Sequence, residues 1–252
     1  MSHSVGIMQG RLLPPIDGRI QCFPSDRWRE EFSLAAQAGM MCIEWIYEVG
    51  TESVNPLRTD EGIAEINRLS RESGTTVLSM CADYYMEDRL VKRGGEPNET
   101  AVRHLEWLIG RAGMLGIRYV VLPFVDASSL TSPAEVGGLR RVLEAVLPAA
   151  DRADIELHLE TDLRPATLAD VLDEISHPAV RANYDTGNSA SLGYDPREEL
   201  MLLRPWLGSV HIKDRVKDGG TVPLGTGDVD LVSCFRMVTA MNFAGPYILQ
   251  VA

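Results

Sequence analysis

The sequence lacks the features that mark several large classes of protein. No apolar run approaches the roughly 20 residues that cross a bilayer, and no basic segment followed by a long apolar stretch opens the chain. Basic residues are outnumbered, with 24 Lys and Arg against 36 Asp and Glu and a formal net charge of −12. Proteins that bind nucleic acid normally present a basic surface. We therefore expect a cytoplasmic protein that binds neither membranes nor nucleic acid.

Cysteine pairs and nucleotide-binding signatures are also missing. The four cysteines form no CxxC pair, and Cys42 and Cys81 lie in apolar runs, where we expect them to be small core residues. A reducing cytoplasm fits this usage. No GxGxxG follows the first strand-like run, so the commonest signature of a doubly wound dinucleotide-binding sheet is absent.

What the chain does contain is a regular alternation of short apolar runs with longer amphipathic segments. The short runs are rich in β-branched, aromatic or leucine residues, as buried parallel strands are. They cover residues 5–9, 41–46, 76–82, 118–123, 155–160, 180–184, 209–212 and 247–251. Eight strand–helix units in 252 residues predict an α/β protein, a (β/α)8 barrel formed by residues 1–252 as one domain. Because the sequence stops just after the eighth run, we expect the last helix of the barrel to be missing from this chain.

Helix start signals support this division of the chain. Ser132 followed by Pro133 and Glu135 is typical of a capping box with proline in the first turn. Asp195 followed by a proline repeats the signal. Ser25, which precedes an acidic and amphipathic stretch, is predicted to cap the first helix.

Four polar side chains lie at or near the ends of the last four predicted strands. They are Glu160, Asp185, His211 and Gln250. The carboxyl ends of the strands of such a barrel meet at one face, where active sites form. Two carboxylates, an imidazole and an amide together make a site suited to a divalent ion such as Mn²⁺, Mg²⁺, Co²⁺ or Zn²⁺. An amide can ligate a metal through its oxygen, but it cannot act as a base.

Motifs along nearly the whole chain resemble the xylose isomerase-like barrel superfamily, in its sugar and sugar-phosphate isomerase/epimerase branch. They occur in the order of the strands: Gly6-Ile7-Met8-Gln9-Gly10-Arg11-Leu12, Ile43-Glu44, Leu159-Glu160, Asp185-Thr186-Gly187-Asn188, His211-Ile212-Lys213-Asp214 and Pro223-Leu224-Gly225-Thr226-Gly227. The resemblance implies that Glu160, Asp185 and His211 are metal ligands and that Gln250 occupies the fourth ligand position.

Two positions depart from the pattern that this resemblance implies. The fourth ligand of the family is usually a glutamate that also serves as an acid/base group, and here it is Gln250. The sixth-strand motif usually reads Asp-x-Gly-His, and here Asn188 replaces the histidine. Two negative ligands instead of three would leave the metal a stronger Lewis acid but would remove one base.

The chemistry implied by the resemblance is proton transfer next to the carbonyl of a small sugar or sugar phosphate. A metal stabilises the enediolate and a carboxylate removes the carbon-bound proton, with Glu160 as the predicted base. An epimerase needs a second acid/base group on the other face of the carbon, and Glu44, Glu156 or a water are the alternatives. Lys213, beside the predicted ligand, is a further catalytic candidate.

Several residues are candidates for substrate contact. Glu156 and His158 lie an even number of residues before Glu160, so strand alternation puts all three on one side. Glycine-rich turns can direct backbone amides at a phosphate. The remaining candidates lie near strand ends or in such a turn: Arg11, Asn188, Arg215, Gly225, Thr226 and Gly227.

Other functions on the same barrel stay open at this point. A phosphodiesterase resembling endonuclease IV would bind three metals through many histidines, but this chain has five histidines in all. A second alternative is a barrel that binds metal or sugar without turnover, and Gln250 is the residue that supports it. A dehydratase or an inosose isomerase is a further alternative, and the resemblance also leaves a homo-oligomer open.

Overall fold

Eight parallel strands close into a barrel in the computed structural model, which describes residues 4–251. The described residues form these eight strands and two short ones outside the barrel. In chain order they are β1 Val5–Met8, β2 Cys42–Ile46, β3 Thr76–Cys81, β4 Tyr119–Phe124, β5 Glu156–Thr161, β6 Val180–Asp185, β7 Leu207–Ile212, β8 Asp214–Arg215, β9 Thr221–Val222 and β10 Tyr247–Leu249. Strands β1 to β7 follow one another around the barrel, and β10 pairs with both β7 and β1 to close it. The short β8 and β9 form an antiparallel pair of their own. The predicted (β/α)8 barrel is confirmed, and each of its eight strands ends within two residues of the predicted bounds.

Helices occupy the segments between the strands. Their bounds are α1 Glu30–Gln37, α2 Asp60–Ser73, α3 Tyr84–Glu87, α4 Glu99–Leu115, α5 Pro133–Ala153, α6 Pro165–Ile175, α7 Thr186–Ser191, α8 Pro196–Leu203 and α9 Leu231–Ala240. Within the described residues only Gln250 and Val251 follow β10. Among residues 4–251, no helix has the length and apolar character needed to cross a membrane.

Two of the three predicted helix caps are confirmed. The Ser132 hydroxyl accepts a hydrogen bond from the amide of Glu135, and Asp195 accepts one from the amide of Arg197. The predicted cap at Ser25 is wrong, because α1 begins only at Glu30. The chain before it forms turns in which the amide of Trp28 donates to the carbonyl of Pro24. These turns place the Trp28 ring in the core, 5.5 Å from that of Trp45 between ring centroids.

The interior of the barrel is filled in layers. Near the N-terminal ends of the strands, the ring of His158 stacks on Tyr119 at 4.2 Å between centroids, and its two nitrogens contact Glu156 and Ser209 at 2.9 and 2.8 Å. Glu156 and Tyr119 are the first residues of β5 and β4. This layer therefore lies at the end of the barrel opposite to the ends of the strands where polar residues were predicted to meet.

A buried glutamate holds the loop that follows β1. Gly10 has φ of 86°, and its amide donates to Oε1 of Glu31 at 2.5 Å. A Cβ at residue 10 would lie 2.7 Å from the carbonyl oxygen of Cys22, so the turn requires glycine. Burial raises the pKa of Glu31 from about 4.5 to about 7, although the hydrogen bond from Gly10 opposes the shift.

Replacement of Glu31 by glutamine should change how stability depends on pH. Because the folded-state pKa lies above the unfolded one, Glu31 contributes fully below about pH 4.5, and this contribution is lost as the pH rises to about 7. The shift corresponds to a loss on the order of 3 kcal/mol across that window. We expect the difference in free energy of unfolding between wild type and Glu31→Gln, measured in urea at pH 5, 6, 7 and 8, to move in favour of the variant as the pH rises. Glu30→Gln, at the exposed neighbouring position, should show a flat difference over the same range.

Candidate functional site

Four side chains from β5, β6, β7 and the residue after β10 meet inside the mouth of the barrel. Ligand atoms of Glu160, Asp185 and His211 all lie within 4.8 Å of one another. The side-chain amide of Gln250 joins them, with Nε2 2.7 Å from Nδ1 of His211. All four residues are buried. The structure therefore brings together the four strand-end residues that the sequence singled out.

The Asp-Thr-Gly-Asn segment forms the turn from β6 into the short helix α7. Oδ1 of Asp185 accepts a hydrogen bond from the amide of Asn188 at 2.8 Å, so Asp185 caps α7 while Oδ2 stays directed at the cluster. The Thr186 hydroxyl donates to the carbonyl of Lys213 and accepts from its amide, and Lys213 directly follows β7. A Cβ at Gly187 would lie 2.9 Å from the side chain of Lys213. Small and hydroxyl residues are thus needed here because the two motifs pack directly against each other.

His211 is oriented by a carboxylate beneath it. Its Nε2 lies 2.9 Å from Oε1 of Glu44, and the other oxygen of Glu44 accepts a hydrogen bond from Ser79 at 2.9 Å. A proton on Nε2 is favoured by this contact and leaves Nδ1 to face Glu160 and Asp185, at 3.7 and 3.9 Å. Burial lowers the pKa of His211, whereas the neighbouring carboxylates, led by Glu44, raise it.

Lys213 sets the orientation of Gln250. The Lys213 ammonium donates to Oε1 of Gln250 at 3.2 Å and lies 2.8 Å from Oδ2 of Asp185. An ammonium only donates, so Gln250 presents its oxygen to Lys213 and its NH₂ group to Nδ1 of His211. Burial opposes the charge on Lys213, yet Asp185 and Glu160 together hold its pKa above the usual value. Coordination of a metal by the Gln250 oxygen would require its amide to turn over.

Glu160 is also oriented by an amide side chain that a cation fixes in place. Asn188 donates from Nδ2 to Oε1 of Glu160 at 2.6 Å and accepts at Oδ1 from Arg215 at 2.9 Å. A guanidinium also only donates, so it fixes the Asn188 amide with its NH₂ group toward Glu160. Oε2 of Glu160 then faces His211. Burial and the nearby Asp185 raise the pKa of Glu160 to about 7.

The chemistry of this donor set fits a divalent ion. Carboxylate and imidazole ligands bind Zn²⁺ or Mn²⁺ at about 2.0–2.2 Å, which places donors around one ion on the order of 3–4 Å apart. The separations of 3.7 and 3.9 Å from Nδ1 of His211 to the two carboxylates match that range. Glu160, Asp185 and His211 are therefore the residues that could hold a metal.

A cavity of about 340 Å³ opens next to the cluster. Five of the predicted site residues contribute to its wall: Glu160, Asn188, Lys213, Arg215 and Gln250. The volume is at the lower end of those that hold small molecules. The cluster therefore faces a space that a small polar substrate could enter.

Other predicted substrate-binding residues, and the catalytic candidate Glu44, lie outside this cavity wall. Glu156 and His158 belong to the layer at the opposite end of the barrel. Glu44 is fully buried beneath His211. Arg11 lies beside the mouth, where it donates to Gln21 and to the carbonyl of Val251.

The glycine-rich turn at Gly225, Thr226 and Gly227 has its amides already occupied. Oδ2 of Asp214 accepts hydrogen bonds from the amides of Gly225 and Gly227, at 2.8 and 3.0 Å, and Oδ1 accepts from Val229 at 3.2 Å. A Cβ at Gly227 would collide with the Asp214 side chain. The aspartate of the His-Ile-Lys-Asp segment thus holds this loop in the way that an anion would.

Two carboxylates in the cavity wall, Asp83 and Asp126, are not among the residues predicted from the sequence. Asp83 lies two residues after the end of β3 and lines the cavity with Gln21. Glu160 was predicted because polar residues near the carboxyl ends of strands meet at one face of the barrel, and the same reason applies to a polar residue just after β3. Asp83 therefore carried a usable signal in the sequence.

Comparisons with known proteins agree with this architecture. A curated relative, the L-ribulose-5-phosphate 3-epimerase UlaE of Escherichia coli, is 26% identical over 245 residues, which cover 88% of this chain and 81% of that protein. The 2-epi-5-epi-valiolone 7-phosphate 2-epimerase of an Actinoplanes species is 26% identical over 161 residues, 64% of this chain, and the match spans 58% of that protein's length. A crystal structure of the IOLI protein with a zinc atom superposes with a TM-score of 0.73 at 13% identity, covering 98% of this chain and 88% of that one. The family model described as the xylose isomerase-like TIM barrel matches residues 32–252, and the chain belongs to that family.

Proposed function

We propose that this protein is a divalent-metal-dependent isomerase or epimerase of a sugar or sugar phosphate, with Glu160 as the base. The observation that carries the proposal is the position of Glu160. Its carboxylate belongs to the candidate metal cluster and also lines the adjoining cavity. Its orientation is set by the hydrogen bond from Asn188.

The chain's own residues can position a carbonyl substrate and take up its proton. A bound divalent ion would supply Lewis acidity, which stabilises negative charge that develops on the carbonyl oxygen. The hydrogen bond from Asn188 to Oε1 holds the Glu160 carboxylate in place, and this carboxylate accepts the carbon-bound proton. The wall formed by the buried Lys213 and Gln250 limits the access of bulk water from that side.

A phosphorylated substrate is included in the proposal. Lys213 and Arg215 present cationic side chains at the cavity, although Arg215 is also bonded to Asn188 and to the carbonyl of Gly219. The curated relatives in Escherichia coli and Actinoplanes are both named for phosphorylated substrates. Local positive charge of this kind can attract an anion even where the whole chain is acidic.

The histidines offer little support for a nuclease with several metals. Among residues 4–251, the one group of three potential ligands contains a single histidine, His211. His104 packs against Tyr84 and Trp107, and His158 lies in the opposite layer of the barrel. His177 lies 3.5 Å from Asp151, and His3 falls outside the described residues. This arrangement favours the proposed isomerase or epimerase over that alternative.

Metal binding should appear as a thermal shift that depends on Asp185. After treatment with EDTA, addition of Mn²⁺ at about 100 times its Kd should stabilise the wild type by about 2.7 kcal/mol, a rise in Tm of about 5–10 °C. Asp185→Asn keeps an oxygen to cap α7 but removes one ligand charge, and it should lose most of this rise. Glu156→Gln, on the same strand as Glu160 but at the opposite end of the barrel, should keep it. The absence of any shift with Mn²⁺, Mg²⁺, Co²⁺ or Zn²⁺ would contradict the metal site.

Proton transfer should appear as uptake of solvent deuterium by a ketose. In D₂O with saturating Mn²⁺, mass spectrometry of D-fructose, D-psicose, L-ribulose, L-ribulose 5-phosphate and D-xylulose 5-phosphate should show one deuterium next to the carbonyl of at least one of them. Glu160→Gln should slow this uptake by about 10²–10⁴-fold, because general base catalysis is lost. Glu199→Gln is the matched control, since the pKa of Glu199 is also raised to about 7 by burial while its carboxylate bonds Ser189 outside the cavity wall. Binding of these sugars without deuterium uptake would instead support a barrel that does not turn over.

A further inference from the structure

An epimerase of this kind needs two acid/base groups, and the structure narrows the choice of the second. The inference that follows rests on the proposed function. Gln250 cannot exchange a proton as an acid or a base at neutral pH. Glu44 is engaged beneath His211, and Glu156 lies at the opposite end of the barrel. Within the described residues, the carboxylates that line the cavity are Glu160, Asp83 and Asp126.

We propose that Asp83 is the second catalytic residue and delivers a proton to the face of the substrate carbon opposite to Glu160. Asp83 lies at the end of β3 and Glu160 lies in β5, so the two flank the end of β4. Pro123 and Val125, from the end of β4, line the cavity between them. Asp83 and Glu160 therefore contribute two carboxyl groups to this cavity from different strands, with the end of β4 between them.

The Asp83 side chain is fixed by two hydrogen bonds. Oδ2 accepts from Nε2 of Gln21 at 2.8 Å, and Oδ1 accepts from the thiol of Cys81 at 3.1 Å. Gln21 in turn accepts from Arg11 at 2.9 Å, and this donor-only partner turns the NH₂ group of Gln21 toward Asp83. Since Asp83 is the acceptor in both bonds, a proton on its own carboxyl group is free to be donated into the cavity.

The environment of Asp83 also favours a carboxyl group that can carry a proton. Burial raises its pKa, and the hydrogen bonds from Gln21 and Cys81 only partly offset that effect. Catalytic acids and bases work best when their pKa lies closer to the working pH than that of a free carboxylate. The rival carboxylate Asp126 also lines the cavity, but it is exposed to solvent.

The proposed reaction balances in protons and electrons. Glu160 accepts the proton from the carbon next to the carbonyl, and the C–H electron pair moves into the enediolate of the sugar. Asp83 then gives its O–H proton to the same carbon from the other face, and the electron pair of the enediolate forms the new C–H bond. Glu160 ends protonated and Asp83 ionised, and exchange with solvent water restores both.

Substitution of Asp83 should separate the uptake of solvent deuterium from the inversion of configuration at the substrate carbon. With the ketose from the same panel that the wild type converts fastest, in D₂O and saturating Mn²⁺, Asp83→Asn should slow formation of the epimer by about 10²–10⁴-fold. Deuterium uptake into the recovered substrate, with retention of configuration, should continue within a few-fold of the wild-type rate, because Glu160 can still remove and return a proton on its own face. A purely structural role would lower both rates together.

A second variant and a control complete the test. Asp83→Ala with added formate should recover part of the epimerisation, since formate can supply the missing acid, and this measurement also serves if Asp83→Asn does not fold. Asp88→Asn, five residues further on and bonded to Asn98 instead of lining the cavity, should keep both rates.

The outcomes distinguish this inference from the function on which it rests. A wild type that neither exchanges nor epimerises any ketose of the panel would overturn both. An active wild type whose Asp83→Asn variant still epimerises, or loses exchange and epimerisation equally with an unchanged Tm, would overturn the role of Asp83 alone. Loss of epimerisation in Asp126→Asn, with Asp83→Asn active, would overturn it in favour of the rim carboxylate.

Discussion

The buried negative charge of Glu160 and Asp185 is the constraint on which the mouth of the barrel depends. Two carboxylates removed from water and placed near each other cost several kcal/mol each unless cations and hydrogen bonds compensate them. Here the compensation comes from His211, from the ammonium of Lys213 and from donors on the turn into α7. A divalent cation would complete the same balance. The elements that carry these groups must pack at close range, which explains why glycine and threonine occupy the turn after β6.

The same constraint accounts for three neutral amides around the cavity. Each amide lies between a cation that can only donate and an acceptor that must be oriented. Arg215 turns Asn188 toward Glu160, Lys213 turns Gln250 toward His211, and Arg11 turns Gln21 toward Asp83. Because the cation fixes which end of the amide carries the oxygen, the donor end has one possible direction. Asn188 and Gln250, the two departures from the family pattern, therefore have defined structural roles that a histidine or a glutamate would fill differently.

Most of the scaffold, and much of the site, could be anticipated from residue patterns. The eight strands are short buried runs, and such runs are recognisable because parallel strands are apolar on both faces. The prediction that Glu156 and His158 lie on the same side as Glu160 follows from strand alternation, and all three do point into the barrel. Strand alternation does not show how far along the barrel axis each side chain lies, however, and four residues of strand span about 13 Å. Glu156 therefore lies at the far end of the barrel, against Tyr119 and His158. The role of the Gly-Thr-Gly turn after β9 was equally ambiguous, because the sequence does not show that Asp214 occupies the amides of this turn.

The sequence by itself determined the number of barrel strands, the type of each side chain at their ends and the family to which the chain belongs, since these depend on local periodicity and on motifs. Tertiary structure alone decided which of those side chains meet. Closure of the barrel brings β3 within reach of the same cavity as β5 and β10, although Asp83 and Gln250 are far apart in the chain. It also decided which way the amide of Gln250 faces, because that orientation is imposed by Lys213, which directly follows the neighbouring strand β7. Contacts between strands depend on register and closure, and no local pattern encodes them.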